Sequence, residues 1–314
     1  MNAPRDPDAI STTSGEAHYL FEDLTEHGAV KLDSLLRICA PVHWPLFQKS
    51  LFSADYRART GMAGIIYFME LEASDRRAAM PRSAPATVDV TMTLGRSAGD
   101  DPRIISRGEM VLTCAGATGR FDPRPDIRNP VTAGRMRLDH VLTRITAPPD
   151  QRRVRELPPD LGFTRNLPDR ILPFHTAEEI LRPPEPFSLK GSEYRDLRAK
   201  FWAYNRTDPN EHVHAMDYIR AAEDLATDAL ALEGEPPEKW FFSRASVLYK
   251  RPMFTGNAHI RVAQVWRTPA KEPGVSAVTL AFFPLKAARD LASHDPGKPS
   301  VCVRLVTMPK QPAA

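Results

Sequence analysis

The run Asn205-Arg206-Thr207-Asp208-Pro209-Asn210-Glu211-His212-Val213-His214 places a carboxylate, an amide and two imidazoles close together, directly ahead of an apolar-periodic stretch. These residue types suit attack on a carbonyl carbon. A carboxylate such as Asp208 can orient or deprotonate water, or attack the carbon itself, while Asn210 and His212 position the reacting groups by hydrogen bonds. A helix beginning just after His212 aims unpaired backbone N–H groups and a positive dipole end at whatever precedes it, so the Val213 and His214 amides are candidate oxyanion donors. The same residues also serve structure, because Asp and Asn are favoured N-cap residues and Thr-Asp-Pro-Asn is good turn chemistry. Both readings stand at the level of sequence.

The helix expected over Val213–Leu232 adds one more candidate. At a period of 3.6, Asp217, Arg220, Asp224 and Asp228 share a face, which is expected to be the wet one. His212, Met216, Ile219 and Glu223 line a different face, so Glu223 stands off the solvent stripe, either as an alternative base or paired with Arg220 or Lys250. Lys250, Arg251 and Arg261 could contact phosphates, or simply be solvated. A metal reading of Asp208, His212 and His214 is disfavoured: residues two apart do not share a helix face, and no third histidine lies nearby in sequence. The GMAG run at Gly61–Gly64 lacks the Lys-Ser/Thr ending of a phosphate loop.

The elements that must position these residues are legible from periodicity. Ala86–Leu94 alternates Val88, Val90, Met92 and Leu94 with Thr87, Asp89, Thr91 and Thr93, which argues a half-buried strand. Gly64–Glu72 and Ile104–Cys114 flank it as further strands, and a helical run begins near Val30, where Pro41 and Pro45 are expected to interrupt it. Residues 1–15 read as a polar, disordered tail. Residues 16–120 read as one compact unit and 121–190 as a Pro/Arg-rich connection, in which RMRLDHVLTRI is either a strand or a short helix. Residues 191–310 form a second unit with strands at Asp196–Asn205, Ser243–Tyr249, Ala258–Trp266, Ser276–Phe283 and Val301–Met308. One strand, one long helix, then a run of strands is an α+β signature. An internal echo supports two copies: Asp23-Leu24-Thr25-Glu26-His27 matches Asp208–His212, offering Asp23 and His27 as a second site.

From Asn205 to Asp224 the sequence resembles the hotdog-fold thioesterases, both the single-domain acyl-CoA type and the tandem acyl-carrier-protein type. Their motif is an Asp, two residues later an Asn or small residue, two later a His or equivalent, then Val-Asn-Asn and a Tyr. Asp208, Asn210, His212, Val213 and Tyr218 fall on it without a gap, with His214 and Ala215 in place of the Asn pair. The resemblance implies a double hotdog, two antiparallel sheets each wrapped around a central helix and fused as a pseudo-dimer. It also implies an acyl thioester hydrolase acting on acyl-CoA or acyl carrier protein. Asp208, Asn210, His212 and Glu223 would then be catalytic, and Val213, His214, Tyr218, Lys250 and Arg251 would bind substrate, with no cofactor or metal. Two alternatives share the fold. One is a dehydratase, isomerase or acyltransferase/decarboxylase of a fatty-acid or polyketide pathway, the last depending on a Tyr, for which Tyr56 and Tyr67 are the candidates. The other is a non-catalytic acyl-thioester-binding protein. Leu248-Tyr249-Lys250-Arg251-Pro252 stands where the tandem family has a glutamate-flanked Tyr-Arg-Arg segment, so that family's full catalytic set does not transfer.

Composition bounds the rest. The 314 residues, 42% hydrophobic and 26% charged, belong to an ordinary globular chain of about two domains' length, though 30 prolines are an excess. Lys and Arg total 42 against 39 Asp and Glu, a net charge of +3 with no basic stripe for nucleic acid. Cys39, Cys114 and Cys302 are too far apart for a disulfide framework or zinc knuckle. No run approaches membrane-spanning length and no signal peptide is read, so a cytoplasmic protein is expected, with a homodimer of double hotdogs left open.

Overall fold

The computed structural model describes residues 11–50, 54–79, 86–117, 125–157, 170–208, 211–270, 272–285 and 297–310. The chain divides into two compact units, Met1–Phe174 and His175–Ala314.

Unit 1 contains β1 (Ser11–Ala17), α1 (Leu32–Ser50), α2 (Ala54–Thr60), β2 (Met62–Ala73), β3 (Ala86–Arg96), β4 (Ile104–Ala117) and β5 (Pro125–Arg144). Its strands pair antiparallel in the order β1-β3-β4-β5-β2, and α1 packs against all five. The alternation of β3 does what its period implies: Val88, Val90, Met92 and Leu94 are all buried. Leu32, Leu35, Ile38 and Phe47 of α1 are buried as well, each such side chain contributing about 1.5–3 kcal/mol.

Unit 2 contains α3 (Ala177–Leu181), β6 (Leu189–Phe201), α4 (Ala215–Leu232), β7 (Trp240–Tyr249), β8 (Ala258–Arg267), β9 (Ser276–Pro284) and β10 (Val301–Pro309). Its antiparallel order is β6-β8-β9-β10-β7, the topology of unit 1 repeated strand for strand. Helix α4 packs on β7, β8 and β10, with Met216, Ile219, Ala222, Ala226 and Ala229 buried. The small residues let sheet and helix approach closely.

Three expectations need correction. The polar tail is structured from Ser11 onward, where β1 pairs with β3 from Ser11↔Met92 to Ala17↔Ala86; residues 1–10 lie outside the described residues. The stretch 121–190 is not merely a connection, since β5 occupies Pro125–Arg144 and pairs with both β4 and β2, extending the first unit well past residue 120. RMRLDHVLTRI is therefore strand, with Met136, Leu138, His140 and Leu142 buried on one face. Finally, α1 runs through Pro41 and Pro45 without interruption. Both prolines are exposed, as is Arg37 one turn earlier. The carbonyls deprived of a donor are those of Arg37 and Pro41, on the outer face where water can replace the lost N–H.

Candidate functional site

The Asp208 segment is a tight loop braced by main-chain hydrogen bonds. A 3-10 turn, Tyr204–Arg206, leads into the bridge Thr207↔Val213. Inside that bridge the Asp208 N–H donates to the His212 carbonyl (2.9 Å), and the Glu211 N–H donates to the Asp208 carbonyl (2.9 Å). Glu211 closes the loop at φ 65°, a conformation most residues avoid. Three contacts anchor the loop. The Arg206 guanidinium donates to the buried Asp217 carboxylate of α4 (2.5 Å), the Thr207 and Thr255 hydroxyls lie 3.2 Å apart, and the His212 ring meets Phe254 edge-on at 5.2 Å. The Tyr249 hydroxyl donates to the Ala215 carbonyl (3.1 Å), fixing the helix start as well. Asp208 and His212 are both half-buried. Asn210 lies outside the described residues.

The proposed oxyanion amides are not available. The Val213 N–H donates to the Met253 carbonyl (2.8 Å) and the His214 N–H to the Arg206 carbonyl (2.8 Å). Helix α4 begins only at Ala215, with His214 as its N-cap, Nδ1 accepting from the Met216 N–H at 3.3 Å. His214 is therefore a capping residue, and Val213 a buried rung of the loop.

The remaining candidates disperse. Glu223 is half-buried on α4, but His212 precedes the helix, so the stripe expected along it holds only for Met216, Ile219 and Glu223. Asp217 is not on a wet face: its side chain is 6% exposed, held by Arg206 and, at 3.6 Å, by Arg220. Tyr218 packs among the rings of Trp202, Tyr249 and Phe282, and burial pushes its phenol pKa far above the ordinary value. Lys250 and Arg251 are exposed just beyond β7, their N–H groups both donating to the Ser300 carbonyl. Arg261 turns inward, donating to Asp196 (2.7 Å) and to the Ala221 carbonyl (2.9 Å). The Tyr67 hydroxyl donates to the Pro173 carbonyl (3.1 Å), and that of Tyr56 faces the Met62 sulfur at 3.9 Å. The three cysteines are buried free thiols, and burial raises their pKa values to about 12 for Cys39 and about 11 for Cys114 and Cys302.

Unit 1 carries the same loop in a different register from the one the sequence echo suggests. The turn Phe21–Asp23, the bridge Leu24↔Val30 and the helix start at Leu32 each precede their unit 2 counterparts by 183 residues, not 185. The hydrogen bonds correspond one for one: Thr25 N–H to the Ala29 carbonyl, Gly28 N–H to the Thr25 carbonyl, Lys31 N–H to the Asp23 carbonyl. Gly28, at φ 82°, stands where Glu211 does. Asp208 and His212 therefore correspond to Thr25 and Ala29, and Asp23 corresponds to Arg206. Asp23 is buried and paired with Arg37, accepting also from the Leu20 N–H (2.6 Å), while His27 lies 3.1 Å from Glu26. These are structural roles, and Asp23 with His27 does not reproduce the Asp208 arrangement.

Two features escaped the sequence reading. The Arg206–Asp217 clamp was hidden because Asp217 sits on a charged helical stripe. A pair of buried histidines in unit 1, His43 of α1 and His140 of β5, stack at 5.9 Å beside Trp44 and Phe47. The signal for His140 was present, since it takes a core position in the period-two pattern of β5.

No protein-family model matches the sequence, and no curated protein sequence matches it either. Solved structures do resemble it. A protein from Lactobacillus plantarum described as an oleoyl thioesterase aligns at a TM-score of 0.61 and 12% identity, covering 96% of this chain and 98% of its own. The 12:0-ACP thioesterase from Umbellularia californica aligns at 0.57 and 11%, covering 95% and 94%. An acyl-ACP thioesterase from Bacteroides thetaiotaomicron aligns at 0.54 and 9%, covering 95% and 98%. What such likeness shows is the fold: the chain has the hotdog fold found in these thioesterase structures.

Proposed function

We propose that the chain is an acyl thioester hydrolase, acting on an acyl group carried by coenzyme A or a carrier protein, and that its two units form a fused double hotdog in the manner of a pseudo-dimer. The observation that carries this reading is the loop ahead of α4. Its backbone skeleton is duplicated in unit 1, but the positions held by the Asp208 carboxylate and the His212 imidazole are taken there by Thr25 and Ala29, the unit 1 pair Glu26 and His27 standing at other positions of the loop.

In this reading Asp208 takes the proton from the water that attacks the thioester carbonyl. With the Val213 and His214 amides committed elsewhere, the developing oxyanion is met by the His212 imidazole, oriented by Phe254, and by the Asn210 amide. The tetrahedral intermediate then collapses with departure of the thiolate. Engagement of the Tyr67 hydroxyl by Pro173 favours this over a tyrosine-dependent decarboxylation.

Asp208→Asn is expected to lower kcat for thiol release from acyl thioesters by about a hundredfold or more in a protein that stays folded. Retention of full activity by a folded Asp208→Asn protein would remove Asp208 from the mechanism. A wild-type chain that binds acyl thioesters across all chain lengths without turnover would instead make this a binding protein.

A further inference from the structure

One end of unit 2 displays three large aromatic side chains to solvent. Phe201, the last residue of β6, is 66% exposed, Tyr204 in the following turn 85%, and Phe254 in the β7–β8 turn 41%. They belong together structurally: Phe201 pairs with Ala258 at the start of β8, the Trp202 carbonyl accepts from the Gly256 N–H (3.0 Å), and Phe254 lies against His212. Exposed flat rings at a loop cluster need a reason, because each leaves an apolar face in water.

The charge around them supplies one. Residues 195–206 carry Arg195, Arg198, Lys200 and Arg206 against Asp196 alone, a net charge of +3. The corresponding positions of unit 1, residues 12–23, carry Glu16, Glu22 and Asp23 with no Lys or Arg, a net charge of −3. The exposed aromatic at the turn is common to both units, Phe21 being 69% exposed, but only unit 2 surrounds it with cations. Asp196, its side chain 10% exposed, is shared among three cations: it is tied to the inward-facing Arg261 at 2.7 Å and lies 3.5 Å from Arg198 and 3.6 Å from Lys200. Arg198 is nevertheless 85% exposed, and Arg206, about half exposed, lies with Arg220 against the Asp217 carboxylate. Lys250 and Arg251 lead into the Phe254 turn and are exposed too. The face therefore offers π-surfaces and cations next to the loop that carries Asp208.

We propose that this face binds the phosphorylated purine nucleotide end of coenzyme A, the base stacking on Tyr204 and Phe201 and the phosphates meeting Arg198, Lys200 and Arg206. The assignment rests on the thioester reading of the Asp208 loop and narrows it to a nucleotide-bearing thioester. Aromatic stacking is indifferent to sequence or acyl chain, and guanidinium groups suit phosphate geometry, so the two components match the two chemical parts of the ligand.

The test is equilibrium binding to the full chain, with adenosine 3′,5′-bisphosphate, coenzyme A and 4′-phosphopantetheine as probes, measured by calorimetry at low and high salt. Adenosine 3′,5′-bisphosphate and coenzyme A are expected to bind, phosphopantetheine about tenfold or more weakly, and the affinity to fall with salt. Tyr204→Ala and Arg198→Glu, both at exposed positions, are expected to weaken coenzyme A about tenfold each, whereas Asp208→Asn leaves binding intact. Retained binding with no hydrolysis by any variant or wild type would refute the catalytic reading while sustaining the nucleotide site. Equal affinity for coenzyme A and phosphopantetheine, or indifference to Tyr204→Ala, overturns the proposal. So does a Tyr204-dependent affinity for an acidic carrier protein without affinity for coenzyme A.

Discussion

His43 and His140 show how much a single residue's surroundings decide. Both rings are fully buried. Burial lowers the pKa of His43 from 6.5 to about 4; burial and then the neighbouring His43 imidazole lower that of His140 to about 3. An unfolded chain takes up protons on these side chains below pH 6.5, and the folded one refuses them. The stability contributed by the neutral pair is therefore complete above pH 6.5 and lost as the pH falls toward 4, by about 1.4 kcal/mol per histidine per pH unit. His259 of unit 2, lowered to about 4 chiefly by burial and then by Arg261, adds in the same direction. Urea midpoints measured between pH 7.5 and about 5 should fall steeply, and a His140→Leu variant should show a shallower fall. The Asp208 to His212 residues were legible because their types announce chemistry. Their hydrogen-bond commitments were not, since a sequence does not say that the Val213 and His214 amides face the carbonyls of Met253 and Arg206.

Elements were readable where one force dominated. Strand β3 and helix α4 stand where apolar periodicity puts them, because a single buried face dictates each pattern. Strand β1 hid because STTSGEA lies at the edge of its unit's sheet, where pairing with β3 supplies the stability that hydrophobic alternation does elsewhere. Strand β5 hid behind Pro130 and its arginines, although its later half alternates well. In α1 local propensity pointed one way and burial of Leu35, Ile38, Cys39, His43 and Phe47 the other, and burial prevailed. The loop before α4 carries a comparable local conflict at Glu211, whose φ of 65° suits glycine. Glu211→Gly is expected to raise the unfolding free energy by about 1 kcal/mol, as read from chemical denaturation, while Gly28→Ala in the matching position should lower it by a similar amount.

At the scale of the whole molecule, the strand order is repeated between the units, but the sequence echo pairs residues that are not equivalent, two positions out of register, because three identical side chains were weaker guides than the main-chain bonds that define the loop. With Thr25 and Ala29 opposite Asp208 and His212, one reacting centre per chain is expected. Titration with a non-hydrolysable acyl thioether analogue should saturate at a single equivalent, and Asp208→Asn alone should silence the chain. Two independent equivalents would place a second centre in unit 1. The duplicated loop has a further consequence for how such a chain diversifies. Because the same main-chain hydrogen bonds recur in both copies, the loop keeps its skeleton while Thr25 and Ala29 in one copy give way to Asp208 and His212 in the other. One copy could lose its reactive groups while the other kept them, with ancestry preserved in the backbone after it had faded from the letters.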